Sequence, residues 1–121
     1  TWVSGFDIIY ALQDEDFDKE NKLFSIPVSF GRLNAMRFSR ILHILSATLL
    51  SVSITLYFQP LSLGFIALLG LAIFLAMLVY QHTIISPVNL SRVNQAFFTT
   101  NGIASVVFGI FVITNLLREA I

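Results

Sequence analysis

The chain has 121 residues, 56% of them hydrophobic and only 12% charged, with zero formal net charge and no cysteine. Its mean hydropathy is +0.83. These values exclude a basic nucleic-acid binder, a disulfide scaffold and thiolate chemistry, and they put the chain in a lipid bilayer.

Residues 1–6, Thr1-Trp2-Val3-Ser4-Gly5-Phe6, have the character of the last turns of a transmembrane helix. The chain is therefore expected to be the C-terminal part of a longer protein, with residues 1–14 closing one membrane helix and residues 15–40 forming a cap at the membrane surface. The acid-dense stretch of residues 7–18 joins the two. Wound as one α-helix at about 100° per residue, Asp7, Tyr10, Asp14 and Asp18 fall at about 0°, 300°, 340° and 20°, while Asp16 points to about 180°. Three carboxylates and a phenol then form a single ridge. Such carboxylates repel one another unless a cation lies between them, and hard oxygen ligands suit Mg²⁺. Asp7 lies between Gly5-Phe6 and Ile8-Ile9, where an idle charge is costly. Glu15, Asp16 and Glu20 read instead as a solvated acidic surface. Lys22 falls at about 60° on the same projection, beside the ridge, and suits either an ion pair with Asp18 or an anionic ligand.

Three spans follow, at about residues 41–58, 61–80 and 95–117, each near the ~20 residues that cross the hydrocarbon core. The first is expected to start within or after a turn at residues 34–40 and to end at Gln59-Pro60, because proline cannot continue the ladder. Lipid leaves the backbone no other partners, so the spans are helices and the expected fold is an all-α, multi-span transmembrane bundle. Ala47/Ser51/Thr55, Ala72/Ala76 and Ser105/Gly109 recur at four-residue spacing, as in close helix packing. Lys19, Lys22, Arg32, Arg37, Arg40 and Arg92 would share one membrane face, which the positive-inside rule makes cytoplasmic. Arg92, in the loop of residues 81–94, suits either an anionic ligand or a topological anchor. Asn94 and Asn101, seven apart, fall on one helix face. They either line a cavity or, for Asn101, meet a neighbouring helix. His43, just inside the first span, reads as a packing or interfacial residue.

The run Asp-x-x-Tyr-Ala-x-Gln-Asp-x-x-x-Asp, matched by Asp7, Tyr10, Ala11, Gln13, Asp14 and Asp18, resembles the second aspartate-rich motif of the UbiA superfamily of intramembrane aromatic prenyltransferases. Ser25-Ile-Pro-Val-Ser-Phe-Gly31 is similar to the segment that follows it there. The resemblance implies Mg²⁺-dependent transfer of a polyprenyl group from polyprenyl diphosphate to an aromatic acid acceptor. On that footing Asp14 and Asp18 are the metal ligands, Asp7 and Tyr10 complete the catalytic ridge, and Gln13, Lys22, Arg92 and Asn101 are candidate substrate contacts. It also implies a bacterial inner membrane, with the motif on the cytoplasmic side. The family's first motif, of the Asn-Asp-x-x-Asp kind, is absent from these residues and would belong to a missing N-terminal half, without which the chain should be inactive. Leu23-Phe24-Ser25 departs from the Lys-Ser pair of hydroxybenzoate-type members. With residues 86–98, it looks more like the branch that makes menaquinone through futalosine; both branches serve quinone synthesis. The reading from another class is a transporter or cation-binding bundle, but residues 41–80 contain no acid to carry an ion path across the bilayer.

Overall fold

A computed structural model describes residues 2–58 and 64–121. Five α-helices and one π-helical segment account for most of them: α1 (Trp2–Ala11), α2 (Glu15–Glu20), α3 (Ile26–Tyr57), α4 (Phe65–Ile84), the π-helical segment Gln95–Thr100, and α5 (Asn101–Ala120), which continues from it. Three helices are long and apolar enough to cross a membrane: Ile26–Tyr57, Phe65–Ile84 and Gln95–Ala120. The all-α, multi-span bundle is therefore the observed fold. The Gln59-Pro60 break and the first residues of the second span lie outside the described residues.

The helix carrying the first span begins at Ile26, so residues 34–40, expected as a turn, are helical. Ser25 is extended and caps the helix, its Oγ accepting the Val28 N–H at 3.4 Å, and Pro27 occupies the first turn, where a missing N–H has no consequence. Gly31 then interrupts the helix with φ 79° and ψ 159°, a region open essentially to glycine alone. The Ser-x-x-x-x-Phe-Gly segment thus starts a helix and bends it.

Hydroxyls along α3 return to their own backbone: Ser46 Oγ to the Leu42 carbonyl at 2.8 Å, Ser51 to Ala47 at 2.7 Å and Thr55 to Ser51 at 2.9 Å. In lipid each of these bonds gives the hydroxyl an acceptor. Ala47, Ser51 and Thr55 are only half-buried, Ala72 and Ala76 face outward, and a methyl group on Gly109 would meet nothing. The expected small-residue seams at 72/76 and 105/109 are therefore not the contact lines. The buried strip of α4 is instead Ala67, Gly70, Leu71, Phe74, Leu78 and Gln81, the i, i+3/i+4, i+7 stripe of one helix face.

Packing is pairwise, α1 on α3 and α4 on α5. At the end bearing α2, Ile8, Ile9 and Leu12 of α1 and the following turn meet Ala35 and Met36 of α3 and Val93 and Ala96 of the last helix. The middle layer joins Phe6, Phe74, Leu78 and Ala104, and the far end joins Ile54 and Phe58 to Ala67 and Leu71. There, fully buried Asn115 on α5 accepts the Ala67 N–H at 3.2 Å and donates to Glu119 Oε1 at 3.0 Å. It supplies a partner to an N–H in the first turn of α4, which has none within its own helix.

The Gly31 and Asn115 roles give separable outcomes. Gly31→Ala should lower stability by about 1–3 kcal/mol through backbone strain. Asn115→Leu should cost about 1–3 kcal/mol by leaving a buried N–H without an acceptor. Thermal unfolding of the full-length protein in detergent reads both.

Candidate functional site

The acid stretch is not one helix. Leu12, Gln13 and Asp14 donate their N–H groups three residues back, to Ile9, Tyr10 and Ala11 at 3.3, 3.1 and 3.2 Å, and α1 ends. The α register resumes only when the Asp18 N–H reaches the Asp14 carbonyl at 2.8 Å. This tightening drops Leu12 into the core, where it is buried against α3. The expected single ridge is thus divided, with Asp7 and Tyr10 on α1 and Asp14 and Asp18 on the elbow and α2.

Glu15, expected in solvent, is 3% exposed. Its carboxylate accepts from Lys19 Nζ at 2.5 Å and from Arg32 Nε, and Arg32 Nη2 reaches Asp16 Oδ1 at 3.6 Å. Burial pushes the Glu15 carboxyl up, but its hydrogen bonds and charge interactions with Lys19 and Arg32 outweigh this and hold it below the usual carboxylate range. This cluster pins α2 onto the start of α3. It also sorts the acids of the elbow. Glu15 and Asp16 take the nearby cations, whereas Asp7, Asp14 and Asp18 enter no ion pair among the described residues.

Asp14 is exposed and Asp18 half-buried; they sit one turn apart, joined through the backbone. Asp7 is exposed on α1 beside a groove of about 280 Å³ lined by Ser4, Ala11, Ile26 and Leu42. Tyr10 turns toward the last helix, its ring 4.7 Å from that of Phe97 and 6.1 Å from that of Phe98. Gln13 Nε2 donates to Asn94 Oδ1 at 3.3 Å. The elbow therefore docks against the π-helical segment, where Thr100 Oγ1 and the Asn101 N–H each bond five residues back, to Gln95 at 3.2 Å and to Ala96. The wider turns lie between Asn94, which is exposed, and Asn101, which is half-buried.

Lys22 does not pair with Asp18. It adopts a left-handed conformation, φ 53°, after α2 ends; its N–H bonds to the Lys19 carbonyl at 3.3 Å and the Leu23 N–H to Asp18 at 2.8 Å. This closes the helix as a Schellman motif with lysine where glycine is usual. Arg92 is exposed in the loop two residues before Asn94.

Among the described residues no three acid, histidine or cysteine side chains gather as a metal centre. Asp14 and Asp18 still fit Mg²⁺ by donor chemistry. They are accessible hard-oxygen ligands with no competing cation, and Mg²⁺ characteristically takes one or two carboxylates together with substrate phosphates.

A second polar group was not legible from spacing. His43 is buried, and its ring stands where a methyl group on Gly5 would approach it to 2.3 Å, so glycine is required for α1 and α3 to meet. Its Nε2 donates to the Trp2 carbonyl at 3.2 Å, which leaves the single Nδ1 lone pair to be shared between His82 Nε2 at 2.8 Å and Gln81 Nε2 at 3.1 Å. With Ser39 Oγ donating to the Gly5 carbonyl at 2.8 Å, it ties α1 to α3 and α4. His43 is a packing residue, as its position suggested. The only sequence signal for the network was two histidines at the same end of successive spans.

Among known proteins, the model of the UbiA prenyltransferase family matches residues 1–103. The chain is 30% identical over 112 residues to a 4-hydroxybenzoate octaprenyltransferase of Psychrobacter arcticus, an alignment covering 93% of this chain and 36% of that protein. The chain thus spans about a third of the length of this curated relative. No solved structure matches it.

Because the folded Glu15 carboxyl lies below its ordinary value of 4.5, its contribution is complete above that pH and is lost as pH falls through the lowered value. Thermal unfolding of the full-length protein should therefore show acid destabilisation below about pH 4.5. Glu15→Gln should flatten that limb and lower stability at pH 7 by about 1.5–3 kcal/mol, the range for hydrogen bonds to charged groups.

Proposed function

The chain belongs to the UbiA prenyltransferase family, and on that premise we propose that it takes part in transferring a polyprenyl group from polyprenyl diphosphate to an aromatic acceptor within a membrane. The observation that carries the site is the sorting of acids at the elbow. Arg32 and Lys19 are held by Glu15, and the two carboxylates one turn apart, Asp14 and Asp18, are left without a cation. In this reading they hold Mg²⁺, which supplies positive charge against the diphosphate. Asp7, on the adjoining face of α1, orients the bound groups. Tyr10, packed on Phe97 and Phe98, presents its hydroxyl and ring edge to the substrate. Gln13 holds the elbow to Asn94 and through it to the loop carrying Arg92, a fixed planar cation suited to a phosphate oxygen. Lys22 and Asn101 flank this region as further contacts. In this reading the whole protein closes an apolar cavity over the elbow and excludes water, which would otherwise trap an allyl cation before the aromatic ring attacks it.

The proposed acceptor class rests on the relative, whose name specifies 4-hydroxybenzoate. An aromatic acid of quinone synthesis, toward either ubiquinone or menaquinone, is the proposed acceptor, with the futalosine-route product as the specific alternative suggested by Leu23-Phe24-Ser25 and residues 86–98. The Asn-Asp-x-x-Asp motif that would complete the metal site does not occur in these 121 residues. In this reading it lies on a preceding part of the protein, the whole is needed for activity, and the elbow faces the cytoplasm of a bacterial inner membrane.

In the full-length enzyme, Asp14→Ala and Asp18→Ala should each lower Mg²⁺-dependent prenyl transfer to 4-hydroxybenzoate by at least about 100-fold, with unchanged membrane insertion. Retained transfer by both variants would remove these residues from the site.

A further inference from the structure

A crevice of about 350 Å³ opens between α3 and α4 at the end of the bundle that carries α2. Arg40 and His82 lie at its mouth; Ile44, Ala47, Leu75 and Val79 are among its walls. Its volume falls within the range of small-molecule sites, ~300–1,000 Å³. On α3 at about 100° per residue, Arg40, Ile44 and Ala47 lie on one side of the buried strip, and Leu42, which borders the Asp7 groove, lies on the other. The crevice therefore opens on the flank of α3 away from Asp7.

Its chemistry has two ends. The walls along Ile44, Ala47, Leu75 and Val79 are hydrocarbon and belong to helices that can cross a bilayer. The mouth bears one guanidinium, that of Arg40, which is exposed and has no carboxylate partner among the described residues. No acid lines any part of the crevice. An apolar slot beneath an uncompensated planar cation, at the end of a membrane helix, matches a phosphodiester head with a hydrocarbon chain below it. We propose that the α3–α4 crevice is a binding site for an anionic glycerophospholipid, with its phosphate on Arg40 and an acyl chain against Ile44, Ala47, Leu75 and Val79.

The lipid would serve as a wedge. Helices α3 and α4 touch each other much less than α1 touches α3 or α4 touches α5, and an acyl chain in the slot adds the apolar contact that the two helices lack. The site is separate from the elbow, so a protein without transferase activity would still bind the lipid there.

Native mass spectrometry of the full-length protein in detergent tests this, with phosphatidylglycerol, uncharged diacylglycerol and inorganic phosphate as separate probes. Phosphatidylglycerol should be retained and raise the melting temperature, diacylglycerol should be retained less, and inorganic phosphate alone should do neither. Arg40→Gln, a change at an exposed position, should lower phosphatidylglycerol retention about fivefold. Ala47→Phe, which fills the slot, should remove it. Equal retention by the wild type and both variants, as when another part of the protein covers the crevice, would overturn the proposal. So would stabilisation by inorganic phosphate equal to that by the lipid.

Discussion

The elbow depends on one buried carboxylate. Glu15 is withdrawn from solvent at the junction of α2 and α3, where Arg32 and Lys19 both donate to it. A buried acid is tolerated only when paired, and here the pairing engages Lys19 and Arg32 with Glu15, Arg32 also reaching Asp16. The same contact that fastens a six-residue helix to the bundle thereby leaves Asp14 and Asp18 uncompensated. A helix as short as α2 has little stability of its own, so its geometry is set by what it is fastened to.

A second constraint acts within the spans, where a buried polar group without a partner is costly; Trp2 Nε1, Gln81 Oε1 and His82 Nδ1 bear that cost, and the following groups avoid it. Ser46, Ser51 and Thr55 of α3 bond to the preceding turn, and Ser39 bonds across to the Gly5 carbonyl of α1. Asn115 bonds between helices, giving the start of α4 an acceptor. His43 bonds with Trp2, Gln81 and His82. The His43 and Ser39 contacts fix the first turn of α1, at Trp2 and Gly5, against α3 and α4, two to three turns before the elbow. Rigid helices thus present a motif that lies on a turn.

Much of this was legible in the sequence. The three spans, the helical class and the aspartate motif follow from hydropathy and spacing, because lipid allows so few backbone solutions. What escaped was set by tertiary contact. A uniform projection of residues 7–18 assumes an unbroken helix, but burying Leu12 and pairing Glu15 with Arg32, 17 residues away, favour a tightened turn. Projection could not separate Glu15 from Asp14, since charge alone does not reveal which acid has a distant arginine. Nor could the seven-residue spacing of Asn94 and Asn101 anticipate π-helical turns, which follow from how the last helix seats against Tyr10 and Gln13. Four-residue spacing of small residues misplaced the α4–α5 seam for a related reason. Ala72 and Ala76 are small, but the buried face of α4 is chosen by Phe74, Leu78 and Gln81.

The central claim is that Asp14 and Asp18 form the cation-binding turn of the elbow. Paramagnetic line broadening by Mn²⁺, recorded on the isotope-labelled full-length protein with pyrophosphate present, tests it without reference to turnover. Broadening should centre on the amides of residues 14–18, spread weakly to Tyr10, and disappear in an Asp14→Asn/Asp18→Asn double variant. Broadening that leaves those amides sharp, or that survives in the double variant, would contradict the account.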